Sequence, residues 1–302
     1  MRVIVAHNTY RGTGGELVVA ESEADLLRQH GDEVRTFRRS NDEIGEEVSP
    51  ASVPFRAFWA RDSSNSLAAL IEETRPDVLH VHNTWLLLSP SIYWTAKQYG
   101  VAVVQTLHNY RLLCPMAQLL RDGEPCEKCL GKAIPYPGVV HQCYRDSRAQ
   151  TALAGGVVAA HRALGTWSSK VDRYIALTDF GKQKFVEGGL SEDKVMVKPN
   201  FVEDPGKGSP GGSFALFVGR LSKEKGLDVA VEAWEDVSLS LPLRIVGNGP
   251  MKTEVRERAS SRVLAQDEKV QVAVAVCFTP SKRARHVDAG LTLADPWSVA
   301  QG

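Results

Sequence analysis

The sequence predicts an α/β chain folded as two domains on parallel sheets. Three observations point there. Short apolar runs of strand length alternate with helical patterns along most of the chain, as in a doubly wound sheet. Glycine-bearing turns sit between strands and the helices that follow. A Gly- and Pro-rich run, residues 204–212, interrupts the alternation, and a fresh strand–turn–helix begins after it. At 302 residues the chain is long enough for two domains of ordinary size.

Residues 3–6 read as a buried strand, and residues 7–15 as a loop holding Gly12, Gly14 and Gly15. Residues 16–30 have helical periodicity and stop at Gly31; residues 34–37 are the next strand. The loop lacks the G-x-G-x-x-G spacing of a dinucleotide site. Arg38 and Arg39 stand where a ribose-binding acid belongs, which argues against NAD. Gly14 and Gly15 would let backbone approach a substrate or phosphate; the alternative is a plain strand–helix turn. Residues 49–64 read as irregular, either a mobile loop over a site or a surface excursion. Residues 67–73 form a helix, and residues 78–82 a strand ending in His82 and Asn83. Residues 91–99 are helical, and residues 101–107 a strand that delivers His108, Asn109 and Tyr110 to the same edge. Ligands bind outside the carboxyl ends of such strands, so His108 and His82 are active-site candidates. One buried structural histidine is common; several at one rim are less so.

Cys114, Cys126, Cys129 and Cys143 follow, with a C-x-x-C knuckle separated by eleven residues from the first cysteine and by thirteen from the last. The intervening stretch is rich in turn residues and has little core of its own. A tetrahedral structural zinc held by all four thiolates would order it. Reduced thiols and a redox C-x-x-C are the alternatives. A closed four-thiolate site leaves no open position for chemistry.

Residues 148–164 are helical, residues 171–176 a strand, residues 179–187 a helix and residues 194–198 a short strand. The second domain then opens on an apolar run, residues 214–218, read as a buried strand; Gly219 ends it, and Arg220, Lys225 and Gly226 lead into a helix over residues 227–234. Two cations beside a helix N-terminus suit a diphosphate. The competing reading is a solvated turn with surface charges.

Composition bounds the partners. Lys plus Arg number 36 and Asp plus Glu 36, so there is no basic footprint for nucleic acid. The N-terminal apolar run is too short for a signal peptide, and residues 151–160 are too short and Gly-broken for a membrane span. The expectation is a cytoplasmic protein; peripheral contact with a membrane surface stays open. Five cysteines in that compartment favour metal or free thiols over disulfides.

From residue 1 to about 260 the chain resembles the retaining glycosyltransferases of family 4, group 1, of the GT-B fold. The first glycine loop, the segment Asp77-Val78-Leu79-His80-Val81-His82-Asn83 and Thr106-Leu107-His108-Asn109 look like that family's first domain. Val197-Lys198-Pro199-Asn200-Phe201 looks like its join. Val218-Gly219-Arg220, Lys225-Gly226 and Ile245-Val246-Gly247-Asn248-Gly249-Pro250 look like its second domain. The resemblance implies two Rossmann-like domains: an acceptor-side domain over 1–203, with the cysteine-rich insertion at 111–147, and a nucleotide-sugar-binding domain over 213–302. It implies a UDP- or GDP-sugar donor and a sugar, lipid-linked sugar or other hydroxyl as acceptor. Gly15, Arg220, Lys225 and Gly249 would hold the donor diphosphate without a catalytic metal. Gly14, His82, Asn83 and Asn109 would lie on the acceptor side, and His108 beside the reacting sugar.

After residue 261 the sequence departs from the family's pattern. The family carries two glutamates separated by seven residues that contact donor sugar and ribose, whereas no Glu follows Glu268 here. The expectation is an incomplete second domain, from truncation or a frameshift, with sugar transfer weakened or lost. The second hypothesis is a non-catalytic α/β binding module with a structural zinc knuckle.

Overall fold

The alternation of strands and helices builds two units, Met1–Val202 and Glu203–Gly302, in a computed structural model that describes residues 1–10, 14–202, 204, 206, 212–236, 241–258 and 263–266. Gly12, most of the 204–212 run and the atypical stretch after residue 266 lie outside the described residues.

In chain order the first unit comprises β1 (Arg2–Thr9), α1 (Gly15–Gln29), β2 (Glu33–Ser40), α2 (Val53–Phe58), α3 (Arg61–Thr74), β3 (Val78–Asn83), α4 (Ser91–Gln98) and β4 (Ala102–Leu107). It continues with the two-residue strands β5 (Leu120–Arg121) and β6 (Glu124–Pro125), then α5 (Tyr136–Val140), α6 (Arg148–Ala163), β7 (Arg173–Ala176), α7 (Asp179–Glu187) and β8 (Val195–Val197). Six strands pair in parallel in the order β2-β1-β3-β4-β7-β8, so the order switches between β1 and β3. Alternation along each strand sorts its side chains to two faces. Val3 and Val5 meet Ala20 and Ala24 of α1. Ile4, Ala6, Leu79, Val81, Val103 and Leu107 join Ile71 of α3, Ile92 of α4 and Phe185 of α7. Each large apolar side chain among them contributes about 1.5–3 kcal/mol on full burial.

Local chemistry sets the ends. Gly31, with φ of 87°, stops α1 in a left-handed conformation that costs a residue without Cβ little. Ser147 and Thr178 cap α6 and α7, their hydroxyls accepting from Gln150 N at 3.3 Å and Gly181 N at 3.0 Å.

Two expectations for the first unit need correction. The first strand continues past residue 6, placing His7 and Asn8 within β1 and almost wholly buried. Their polar atoms made them look like loop, but His7 faces the buried histidine layer, and Asn8, on the opposite face, bonds Asn41 and the backbone of Leu87 and Leu88. Residues 49–64 are largely helical, in the 3-10 turn Pro50–Ser52, α2 and the start of α3. Val53, Ala57 and Ala60 are buried there, and the clustered Pro residues sit at helix starts, where proline is tolerated. The cysteine-rich segment packs Leu112, Leu113, Cys114 and Leu119 into the main cluster rather than forming a core of its own.

The second unit holds β9 (Ala215–Val218), the 3-10 turn Lys223–Lys225, α8 (Leu227–Asp236), β10 (Leu243–Val246), α9 (Lys252–Glu257) and β11 (Val263–Gln266). The sheet order is β11-β10-β9, all parallel. Leu221, Leu227, Val231, Leu243, Ile245, Met251 and Val255 form its core. Contrary to expectation, β9 is not buried on both faces: Ala215 and Phe217 pack on that core, while Leu216 and Val218 are exposed. Among the described residues no helix is long and apolar enough to cross a membrane.

Candidate functional site

At the β1–β3 switch point the face beneath α1 is polar. His7 of β1, His80 and His82 of β3, and Thr106 and His108 at the end of β4 share it by strand alternation. Parallel strands buried on both faces are usually apolar throughout, so a polar layer here points to chemistry. Between Ala6 and His7 the β1–β3 register shifts at a bulge, a device that re-aims side chains next to sites.

Glu23 projects from α1 into this layer. Its Oε1 pairs with Lys198 Nζ at 2.6 Å, and its Oε2 lies 3.6 Å from His82 Nε2 and 3.7 Å from His80 Nδ1. His80 Nε2 is 2.8 Å from Thr106 Oγ1, and His82 Nδ1 is 2.9 Å from His108 Nε2. Glu23 Oε2 is near His82 Nε2 but beyond hydrogen-bond distance, and we take the tautomer that puts the His82 proton on this nitrogen, toward the carboxylate. His82 Nδ1 is then an acceptor, His108 Nε2–H donates to it, and His108 Nδ1 is left as an acceptor. Burial lowers the pKa values of His7, His80 and His108 to about 4; in His108 the Glu23 carboxylate opposes this. Burial also pushes His82 far down, with His80 and His108 adding to the shift. All four rings are therefore neutral at neutral pH.

His82, Asn83, Thr106, His108 and Asn109 line a pocket with about 600 Å³ of empty space, part of it open to solvent; Tyr10, Arg111 and Trp167 also line it. Arg111 stacks over the rings of Trp85 at 4.9 Å and Tyr144 at 4.7 Å. Asn109 donates to Glu16 Oε1 at 2.8 Å; burial raises the Glu16 carboxyl, and this bond and Arg111 hold it back.

The structure brings His82, Asn83, His108 and Asn109 together. Asn83 is committed to backbone, donating to Asn8 O at 2.7 Å and accepting from Trp85 N at 3.0 Å, so it holds the strand ends in register. Gly14 and Gly15 open α1 with free space where a Cβ would stand, so a ligand can approach their backbone.

In the second unit Arg220 and Lys225 are exposed, and among the described residues neither has a carboxylate partner. Gly226 turns the chain into α8 with φ of 67°. Gly249 faces backbone: its N–H donates to Asn248 Oδ1 at 2.9 Å, and an added Cβ would overlap the Leu221 carbonyl. Cys114, Cys126, Cys129 and Cys143 are free thiols around one small pocket.

The sequence reading missed Glu23, Lys198, His7 and His80. One signal was available for Glu23, an acid on the stripe Ala20, Glu23, Ala24, Leu27 that packs α1 on the sheet. Lys198 meets Glu23 across 175 positions, a pairing no local pattern announces.

Comparison with known proteins adds to this geometry. No curated protein matches the chain. Among solved structures, a glycosyltransferase from Rickettsia africae is similar over 88% of this chain and 67% of its own, with a TM-score of 0.54 and 14% identity. Anabaena Alr3699/HepE, solved in complex with UDP and glucose, is similar over 88% and 68%, with a TM-score of 0.50 and 14% identity. At such identity the likeness concerns the fold, which is GT-B. Residues 14–200 match the glycosyl transferase 4-like domain, and residues 203–274 match glycosyl transferases group 1. Since these matches take in both the histidine-bearing sheet and the strand–turn carrying Arg220 and Lys225, the chain belongs to the group 1 glycosyltransferases.

Proposed function

We propose that the chain moves a sugar from a UDP- or GDP-sugar to an acceptor hydroxyl with retention at the anomeric carbon. The observation that carries this reading is the neutral His82–His108 pair, joined by a 2.9 Å ring-to-ring contact and lining the β4-end pocket. His108 accepts a hydrogen bond from a hydroxyl of the reacting sugars and orients it. A ring whose conjugate acid has a pKa of about 4 is a weak base at neutral pH. Among the described residues no carboxylate lines the pocket. As the likeness to retaining transferases implies, the acceptor proton passes to the departing phosphate oxygen. The acceptor oxygen bonds to the anomeric carbon, the carbon–phosphate-oxygen bond breaks, and its electron pair leaves with the nucleoside diphosphate on the same face, which gives retention.

Arg220 and Lys225 hold the diphosphate and stabilise the charge that develops on it, the step at which fixed cations accelerate most. Gly15 offers backbone to the donor phosphates. Gly14 and Asn109 border the acceptor, His82 supports His108 from its buried position, and Asn83 maintains the strand ends.

The reading is tested by calorimetry and turnover with a panel of UDP- and GDP-sugars, with NMR assignment of the product anomer. Arg220→Ala and Lys225→Ala are each expected to weaken nucleotide binding roughly tenfold or more, the loss of one charge-assisted bond. A product of inverted configuration would overturn the mechanism. Absence of binding to every nucleotide sugar would overturn the donor assignment and favour a non-catalytic binding module.

A further inference from the structure

We propose that Cys114, Cys126, Cys129 and Cys143 bind one structural zinc ion. The four thiols come from separate places: the turn after β4, the end of β6, the turn that follows it, and the chain beyond α5. They nevertheless line one pocket, together with Arg121, Lys128 and His141, and none forms a disulfide. A tetrahedral four-thiolate set is a closed zinc site.

Two independent observations point to a ligand there. Arg121 Nε is buried without a hydrogen-bond partner; the Asp122 carboxylate lies 3.5 Å away without bonding to it. Four thiolates around a divalent ion carry two net negative charges, and cations donating to the sulfurs are the usual complement. Arg121 and Lys128 supply them. The backbone is the second observation. Ala117, Leu119, Asp122, Gln142, Arg145 and Asp146 all hold φ between 51° and 69°. Non-glycine residues keep that conformation where their surroundings over-determine it. The regular elements available, β5, β6 and the five-residue α5, are too small to do so alone.

Zinc at about 2.3 Å from each sulfur places the sulfurs about 3.8 Å apart. The thiols stand looser than this: among the described residues only Glu23, His80 and His82 bring three or more potential ligand atoms all within 4.8 Å of one another, and no three of the thiols do. That second cluster is a poor cation site, because Lys198 already neutralises Glu23. Binding at the cysteines thus needs side-chain rotation. It releases one proton from each thiol to solvent as each Zn–S bond forms.

Metal analysis of the full chain, purified without chelator, should find about one zinc per chain. Cys126→Ser combined with Cys129→Ser should remove it, and Glu23→Gln should retain it. Replacement by cobalt(II) should give the intense visible bands of a tetrahedral thiolate site. Should the double variant fail to fold, Cys143→His, which keeps a ligand, should shift those bands to higher energy. A wild-type chain that neither contains nor takes up zinc would overturn the proposal. So would zinc lost from the Glu23 variant but kept in the cysteine variant, only weak six-coordinate cobalt bands, or bands unmoved by Cys143→His.

Discussion

His108 meets the pocket, and His82 behind it sets which nitrogen of the His108 ring carries the proton. His108→Ala is expected to lower kcat by about a hundredfold in a transfer assay. His82→Leu, which leaves the pocket intact but frees the ring of His108, should lower kcat roughly tenfold with little change in KM. Equal losses in KM would instead mark His82 as a binding residue. Neutral burial also makes the fold acid-sensitive. His7, His80 and His108 have folded-state pKa values of about 4 against 6.5 for the free side chain. Below pH 6.5 the unfolded chain takes up protons that the folded chain refuses. Their stabilisation is therefore complete above about pH 6.5 and is lost as pH falls towards 4. Glu16, with its raised carboxyl, acts in the opposite sense and offsets part of this. Urea unfolding should show a fall on the order of a few kcal/mol between pH 7 and pH 5; an unchanged midpoint would mean these rings are open to water.

The strand-end turns of the second unit cross backbone to backbone. Gly219 N donates to Val246 O at 3.1 Å, Leu221 N to Asn248 O at 3.0 Å and Met251 N to Leu221 O at 3.0 Å. No Cβ fits at Gly247 or Gly249, which face the Gly219 and Leu221 carbonyls. Gly249→Ala should therefore destabilise this unit by about 2 kcal/mol or more, read as faster proteolysis of the second unit with the first unaffected. Gly31→Ala, at an open site, should cost about 1 kcal/mol from its left-handed φ alone. Such elements were the legible part of the sequence. The apolar runs at β3 and β4 and the glycine stop of α1 gave parallel strands and crossover helices by period alone, whereas β10 was legible through the family resemblance. Residues 49–64 misled because proline read as a breaker, while here it starts helices. His7 misled because polarity reads as surface until a buried partner layer is known. The histidine rim was visible from strand ends; the Glu23–Lys198 pair that sits behind it was not, because it depends on contact across the sheet.

Each unit has its own core, and none of the side chains in the first unit's main cluster comes from beyond residue 202. A polypeptide of residues 1–202 should thus fold alone, with a cooperative thermal transition and the α/β circular dichroism of the six-stranded sheet. A broad, non-cooperative melt would show that it needs the remainder of the chain. The resemblance to the solved glycosyltransferases extends over both units, and the chain spans about two thirds of their length. Finally, the way the chain leaves the first unit has a mechanical consequence. β8 is an edge strand of three residues, followed at once by Lys198, whose N–H bonds Ala176 O at 2.9 Å and whose ammonium grips Glu23. A pull on residues beyond 202 loads this short edge before any other strand of the sheet. Once it peels, Glu23 loses its ammonium and is left as a bare anion between His80 and His82. Losing that ammonium removes one of the charges that lower the pKa values of His80 and His82, while burial, the larger cause, remains.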